Sequence, residues 1–556
     1  VIYTSGPGVQ IKGISESESC VVSISGEHRT NEYRLGLNGN FDYRSSRPGF
    51  FSAILVRLIA VFSVLQMPVL LWLVFAKRSP GEALFRIELI VIMLTVTNVI
   101  WYVCEPGFYS GDAELILRQV NNPDDVVPIS YSVLYRLLYN VFGAQPFVVV
   151  LLQYYCLSLT PFFIVEKVLR LVDKKATIRN AFAGMICFVL LMLNPIYIGN
   201  ITLMYFDYLF LASLYVYIYI YIDLVENRNG KMRWGLFVLL SLFVPLCRTN
   251  GAFLFPIFSI LLFMLITRRE NRKAEPVRLV KFCFGSGVIF LAYVAVYVLA
   301  SSFYVKQRKN YYITVPLYEL LGVLSLQKDR DNGEYDWMRE YMDIDKVLFR
   351  YERSNCLIPV FWAAAGKGEF DMSSVQKDHE KIREDYFDSV RSNFLPHVRI
   401  KVRHFLYTLG FGGYNGTPYF SDNLPLSRIK SLVVEDLEEK GLYESREFMH
   451  ELGYLSETAK SLENSSVRFV LVSALIPLLL IATWLAYFAI HFFKRRFFGN
   501  FDISLLGICL ITLSYSLSYL IASHGGFSKY QFPVYAIGVI LLTIQTFAWV
   551  NRIRQI

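Results

Sequence analysis

A chain of 556 residues with 54% hydrophobic and 18% charged side chains and a mean hydropathy of +0.40 is too apolar for an ordinary soluble fold. Its net charge of +9 arises from basic residues gathered in short connections between apolar runs, which is a topology signal and excludes nucleic acid as the implied partner. The composition is that of an all-α polytopic membrane protein: spanning helices need about 20 mostly apolar residues, and runs such as VRFVLVSALIPLLLIATWLAYFAI lack the two-residue alternation of barrel strands.

Residues 1–50 are polar and hold no apolar run, so they are expected to form a poorly structured tail rather than a signal peptide or a compact core. About eleven spans follow by the 20-residue rule, near 51–76, 87–104, 146–166, 180–198, 203–223, 234–247, 251–266, 282–303, 468–491, 502–523 and 533–549. Beyond residue 50 the chain thus divides into a transmembrane region over 51–303, a soluble-looking stretch over 304–467 and the last spans in 468–556. Lys and Arg crowd one set of alternate connections, at 77–86, 167–179, 228–233, 268–281, 494–496 and 552–554, whereas the other short connections hold only Arg118, Arg136, Arg248 and Lys529. The positive-inside rule places the first set in the cytoplasm and the second outside. The cysteines sit singly, without CxxC spacing or a companion His cluster, and read as small core residues.

The polar loop at 105–145, EPGFYSGDAELILRQVNNPDDVVPISYSVLYRLLYNVFGAQ, interrupts two apolar spans and carries Asp112, Glu114, Asp124 and Asp125. Charged groups at membrane depth are costly and tend to line functional cavities. Asp112 and Glu114 are therefore the candidate catalytic carboxylates. Two residues apart on a helix they point about 200° away from each other, so at most one faces a given substrate; Asp112, nearer the membrane and just after Gly111, is the first choice as general base. Arg248 and Asn250 in CRTNG, with His524, Lys529 and Tyr530 in HGGFSKYQF, are the candidate donor-binding groups, since cations neutralise the charge that grows on a phosphate leaving group. Asp124, Asp125, Tyr205 and Asp207 are candidate acceptor contacts. Each has a structural alternative: Asp112 as a helix cap, Asp124 and Asp125 as turn formers, Arg248 as the ion-pair partner of a loop carboxylate, and Lys529 with Tyr530 as interfacial anchors.

The stretch 304–467 mixes charge with apolar residues at helical spacing, as in KGEFDMSSVQKDHEKIREDYFDSVRSNF, and is expected to be a mainly helical extracytoplasmic domain. Within it HVRIKVRHFLYTLGF fits either a helix on the lipid surface or, as the favoured reading, a segment packed on the domain's own core. His404 lies in that segment and is, with His524, a secondary candidate for phosphate or acceptor contact.

The series YSGDAELILRQV, PISYSVLYRLLYNVFG, NPIYIGNITLMYFD, CRTNGAFLFP and GGFSKYQFPVY resembles the GT-C class of integral membrane glycosyltransferases, over roughly 87–303 and 468–550. The resemblance implies a lipid-linked sugar donor, usually polyprenyl phosphate, and an active site at the outer membrane face. It also implies a catalytic acid in the first outside loop, where Asp112 stands. The Trp-Trp-Asp signature of oligosaccharyltransferases is absent, the span at 51–76 is extra, and 304–467 has no counterpart.

The expected activity is inverting transfer of one sugar to a hydroxyl of an extracytoplasmic glycan or lipid, in a bacterial-type inner membrane. No cofactor is called for, because side-chain cations can neutralise a donor phosphate; a divalent metal is compatible with the site but not required. An O-antigen polymerase or ligase, working through Arg399, Arg403 and His404 on polyprenyl diphosphates, is the alternative enzyme. A lipid or solute transporter is the non-enzyme alternative, set back by the absence of an internal repeat.

Overall fold

The computed structural model describes residues 81–104, 108–109, 128–142, 147–267, 276–305, 310–327, 335–353, 357–409, 411, 473–493, 499–521 and 531–553, together with strands between residues 9 and 45. The expected span at 51–76 lies outside the described residues, as do Asp112, Glu114, Asp124, Asp125, His524, Lys529 and Tyr530.

Those first strands are β1 (Val9–Lys12), β2 (Ser19–Gly26), β3 (Arg29–Gly36) and β4 (Phe41–Ser45), which pair in sequence order as an antiparallel meander. This corrects the expectation of a poorly structured tail. The sequence cue is alternation rather than an apolar run. Ile11, Val22, Tyr33 and Tyr43 occupy one row of the register, while the adjoining row holds Lys12, Val21, Arg34 and Asp42. Such alternation is what a pleated strand with one apolar side requires.

Apart from these strands and one short parallel pair, the described chain is mostly helical. After α1 (Glu82–Cys104) come the two-residue strand β5 (Phe108–Tyr109), α2 (Ile129–Phe142), α3 (Phe147–Val172), α4 (Thr177–Met192) and α5 (Pro195–Ile201). The strand β6 (Leu203–Met204) leads into α6 (Phe206–Glu226), α7 (Lys231–Leu246), a 3-10 turn over Thr249–Leu254, α8 (Phe255–Thr267) and α9 (Pro276–Tyr304). Beyond these, the domain helices are α10 (Thr314–Leu326), α11 (Ile344–Arg353), α12 (Leu357–Ala365), α13 (Met372–Lys377), α14 (His379–Ser392) and α15 (Phe394–Thr408). The last three are α16 (Leu475–Phe493), α17 (Asn500–Ile521) and α18 (Phe532–Ile553).

Among the described residues six helices, α1, α3, α6, α9, α17 and α18, are long and apolar enough to cross a membrane. The described parts of the expected spans from 87–104 onward are largely helical, but 180–198 is broken at Asn194 between α4 and α5, 251–266 opens in the 3-10 turn, and the apolar stretches of α4, α7, α8 and α16 are shorter than that standard. The bundle is sorted by charge along its length. At one end Arg86 at the start of α1 reaches Glu166 at 2.8 Å, Arg170 reaches Glu226 at 3.2 Å, and Arg233 reaches Asp223 at 2.9 Å. Lys167, nearly buried, lies between Asp223 and Glu226. These pairs join the start of α1 to the end of α3, and the end of α3 and the start of α7 to the end of α6, so they fix helix register. Because Arg86 and Arg233 are 40% exposed at the side chain, their stabilising contribution is modest.

Residues 313–400 bury a core of their own, from Ile313 and Leu317 through Val347, Phe361 and Ile382 to Ile400. The segment HVRIKVRHFLYTLGF lies largely in α15, and the residues it buries, His397, Ile400, His404 and Thr408, recur at helical spacing on one side. Lys401 ties this domain to the bundle: its Nζ donates to Glu319 Oε1 and to the carbonyl of Ile521 at the end of α17, each at 2.7 Å.

His404 is held inside the domain, 1% exposed, with Nε2 and the Tyr351 hydroxyl 2.9 Å apart. Burial pushes its ring well below the ordinary value of 6.5, to about 3, and pushes the buried His397 to about 4. The unfolded chain accepts a proton near pH 6.5 that the folded domain refuses. Stability is therefore full above that pH and falls as the pH drops toward the folded values; His404 alone costs about 2 kcal/mol at about pH 5. A melting profile recorded down to about pH 5 is expected to fall, and His404→Leu is expected to flatten it by that amount.

Candidate active site

At the bundle end opposite the ion pairs, three stretches distant in sequence meet. The first is NPIYIGNITLMYFD. Asn194 caps α5, its Oδ1 accepting from the backbone N–H of Ile196 at 2.9 Å while its Nδ2 donates to the Tyr535 hydroxyl at 2.9 Å; Pro195 at the first helical position reinforces the start. Tyr197 donates to the carbonyl of Leu157 at 2.9 Å, and Tyr208 bonds Asn200. Gln153 of α3 donates to the carbonyls of Ile201 and Leu203. These side chains satisfy a non-spanning turn placed between two long helices, where unpaired backbone would be costly.

The second stretch is CRTNG. Pro245 lies in the last turn of α7, Arg248 takes an extended backbone, and the Gly251 N–H donates to the Arg248 carbonyl at 2.9 Å. The chain folds back so closely that a Cβ at Gly251 would lie 2.3 Å from the Pro245 carbonyl oxygen. Because that neighbour is backbone, Gly251→Ala is expected to cost about 1–3 kcal/mol. Gly235→Ala, in open space on α7, is expected to leave the melting temperature level or raise it.

The third stretch is the start of α18. The Phe532 ring packs on Tyr197 at 5.5 Å and on Tyr208 at 5.4 Å. Gln531 is fully buried, accepting from Ser516 at 2.9 Å and donating to Thr408 of α15 at 3.3 Å.

Between these stretches lies an ion pair. Asp207, in the first turn of α6, has no exposed surface, and Arg248 is 5% exposed. Their side chains are in direct contact, and the guanidinium lies 5.5 Å from the centre of the Tyr519 ring. α6 and α7 run antiparallel about the turn at 227–230, which brings residue 207 and residue 248 to the same level. Arg248 thus pairs with a carboxylate of α6, and Asp207 is turned to Arg248 rather than to an open surface. Tyr205 is buried against Tyr208, with ring centres 5.8 Å apart, and Asn250 is buried beside Arg248.

One contact extends the site toward the polar loop. β5 and β6 pair in parallel, Phe108 opposite Leu203 and Tyr109 opposite Met204. Tyr109 is the third residue before Asp112, and Met204 is the third before Asp207. The loop therefore leaves from beside the strand that leads to the buried ion pair.

The chain matches no protein-family model, no curated protein and no solved structure. Among the described residues no group of three His, Cys, Asp or Glu side chains could hold a metal ion. Gln153, Asn194, Asn200, Tyr519 and Gln531 belong to the cluster and were not among the sequence-derived candidates. Their common signal is a polar side chain inside or next to an apolar run. His404 is in the core of the helical domain, and Arg403 donates to the Tyr407 hydroxyl at 2.6 Å; neither joins the cluster.

Proposed function

We propose that this protein is a membrane glycosyltransferase of GT-C type, with about eleven spans, which moves a single sugar from a polyprenyl-phosphate donor to a hydroxyl of an extracytoplasmic glycan or lipid. The observation that carries the reading is the β5–β6 pairing, which sets Phe108 and Tyr109, the residues that precede Asp112 in sequence, beside the strand that leads to Asp207 and its partner Arg248. Asp112 follows Tyr109 by three residues in the sequence, which supports its choice as the base.

In this mechanism Asp112 takes the proton of the acceptor hydroxyl as general base. The acceptor oxygen attacks the anomeric carbon, the bond from that carbon to the phosphate oxygen breaks with its electron pair, and polyprenyl phosphate leaves. The single displacement inverts the anomeric configuration. Lys529 and Tyr530, which directly precede Gln531, meet the departing phosphate together with the outer edge of Arg248 and with Asn250. Asp207 holds Arg248 in place. Asp124, Asp125 and Tyr205 stand on the acceptor side, and His524 on the donor side. The bundle end that carries the ion pairs is cytoplasmic and the site faces the periplasm of a bacterial inner membrane.

The test is turnover by the purified protein in lipid nanodiscs, supplied with polyprenyl-phosphate sugars and a cell-surface glycan fraction. Released polyprenyl phosphate with an equal gain of sugar on the acceptor is the expected result. Sugar or lipid movement across sealed vesicles without any such transfer would assign the protein to transport instead.

A further inference from the structure

At the end of the bundle that carries the ion pairs, far along the helices from the candidate active site, a cavity of about 570 Å³ opens between α1, α4 and α18. Its wall changes character along α4. Lys175, Ile178 and Arg179 line it near the start of α4 and Phe182 lies one turn further on, with Phe85 of α1 and Phe547 and Val550 of α18 also in the lining. We propose that this cavity binds an anionic phospholipid, with the phosphate at Lys175 and Arg179 and the acyl chains along Phe182, Phe85 and Phe547.

The polarity gradient favours a lipid. Phe182 lies three residues beyond Arg179 in α4, about 4.5 Å farther from the bundle end at about 1.5 Å per residue, so the α4 lining residue farthest from that end is apolar while both cations lie nearer to it. Ile178 and Phe182 are 38% and 50% exposed, which leaves apolar surface that a lipid chain would cover and a free anion would not. The Lys175 side chain is exposed and makes no ion pair among the described residues, while the Arg179 Nε is buried without a partner. One carboxylate is close. Asp173 accepts from the Lys175 backbone N–H at 3.0 Å and from Arg179 Nη2 at 2.8 Å, which orients the guanidinium and offsets one charge. Lys175 and Arg179 are the two cations of the lining, and among the described residues Asp173 forms an ion pair with Arg179 only. The residue before α4, Ala176, brings no side-chain cap, so the first N–H groups of this 16-residue helix add to the attraction for a phosphate. Basic pockets between helices on the cytoplasmic side of membrane proteins recognise lipid headgroups by the same combination.

The experiment is native mass spectrometry of the full-length protein released from nanodiscs that contain phosphatidylglycerol and phosphatidylcholine in equal amounts, with melting temperature as a second readout. Wild type is expected to retain phosphatidylglycerol about fivefold over phosphatidylcholine, and Lys175→Ala to lose about that factor. Lys175 is exposed and precedes α4, so its removal leaves packing intact; Arg179→Gln is expected to lose as much or more. Lys231→Ala, an exposed cation at the same end but outside the cavity, is expected to leave retention unchanged. Equal retention of both lipids by wild type, unchanged retention in Lys175→Ala and Arg179→Gln, or an equal loss in Lys231→Ala would each overturn the assignment. Inorganic phosphate raising the melting temperature in detergent as far as phosphatidylglycerol does would show a free-anion site and overturn it as well.

Discussion

Asp112→Asn is expected to lower sugar transfer by about 10²–10⁴-fold, the usual worth of a positioned general base, while the protein inserts, purifies and melts as wild type does. The substitution keeps size and hydrogen-bonding capacity but cannot hold the acceptor proton. The donor should still bind, so the loss is expected in kcat with the KM for polyprenyl-phosphate sugar little changed. Glu114→Gln is the internal comparison. If the segment after Tyr109 is helical, Glu114 faces about 200° away from Asp112, and its variant should stay within a few-fold of wild type. Full activity in Asp112→Asn would remove the base from this loop, and equal losses in both variants would point to the loop's net charge instead.

The apolar runs located the helices because burial and helical length leave few other ways to satisfy a backbone in lipid. The charge asymmetry sorted the bundle ends, and Arg86, Arg170 and Arg233 do lie at one end with Arg248 at the other. The strands at residues 9–45 hold no apolar run, and their sequence signal is the weaker one of alternation within polar text. The choice for HVRIKVRHFLYTLGF between lipid and core turned on which residues the helix buries, and His397, Ile400, His404 and Thr408 are more informative there than the basic residues that drew attention. Pairing of Arg248 with Asp207 needed the antiparallel register of α6 and α7. The short 227–230 turn already dictates that register, so the partner was within reach of the sequence. Gln531 was not: its bonds to Ser516 and Thr408 join three elements that only tertiary packing brings together.

The buried pair allows a sharper test than any single substitution. Asp207→Ala leaves the Arg248 guanidinium 5% exposed and without its carboxylate, and Arg248→Ala leaves a fully buried carboxylate without its cation. Either is expected to destabilise the protein by about 3–5 kcal/mol, because an uncompensated charge remains where water cannot reach it. The double variant Asp207→Leu/Arg248→Met removes both charges and keeps the volume. Such replacements are often neutral or stabilising, so its folded yield and melting temperature are expected to recover most of what the single variants lose. That recovery separates structure from chemistry at this position. If Arg248 also meets the donor phosphate, the refolded double variant should transfer sugar with a donor KM raised about tenfold or more, the worth of one lost charge-assisted hydrogen bond. A double variant that is both stable and kinetically normal would make Asp207 and Arg248 a clasp between α6 and α7 only, and would leave Lys529 and Tyr530 to carry the donor phosphate. Single variants as stable as wild type would mean that water or a mobile neighbour compensates the charge, and the pair would then lose its part in holding this end of the bundle.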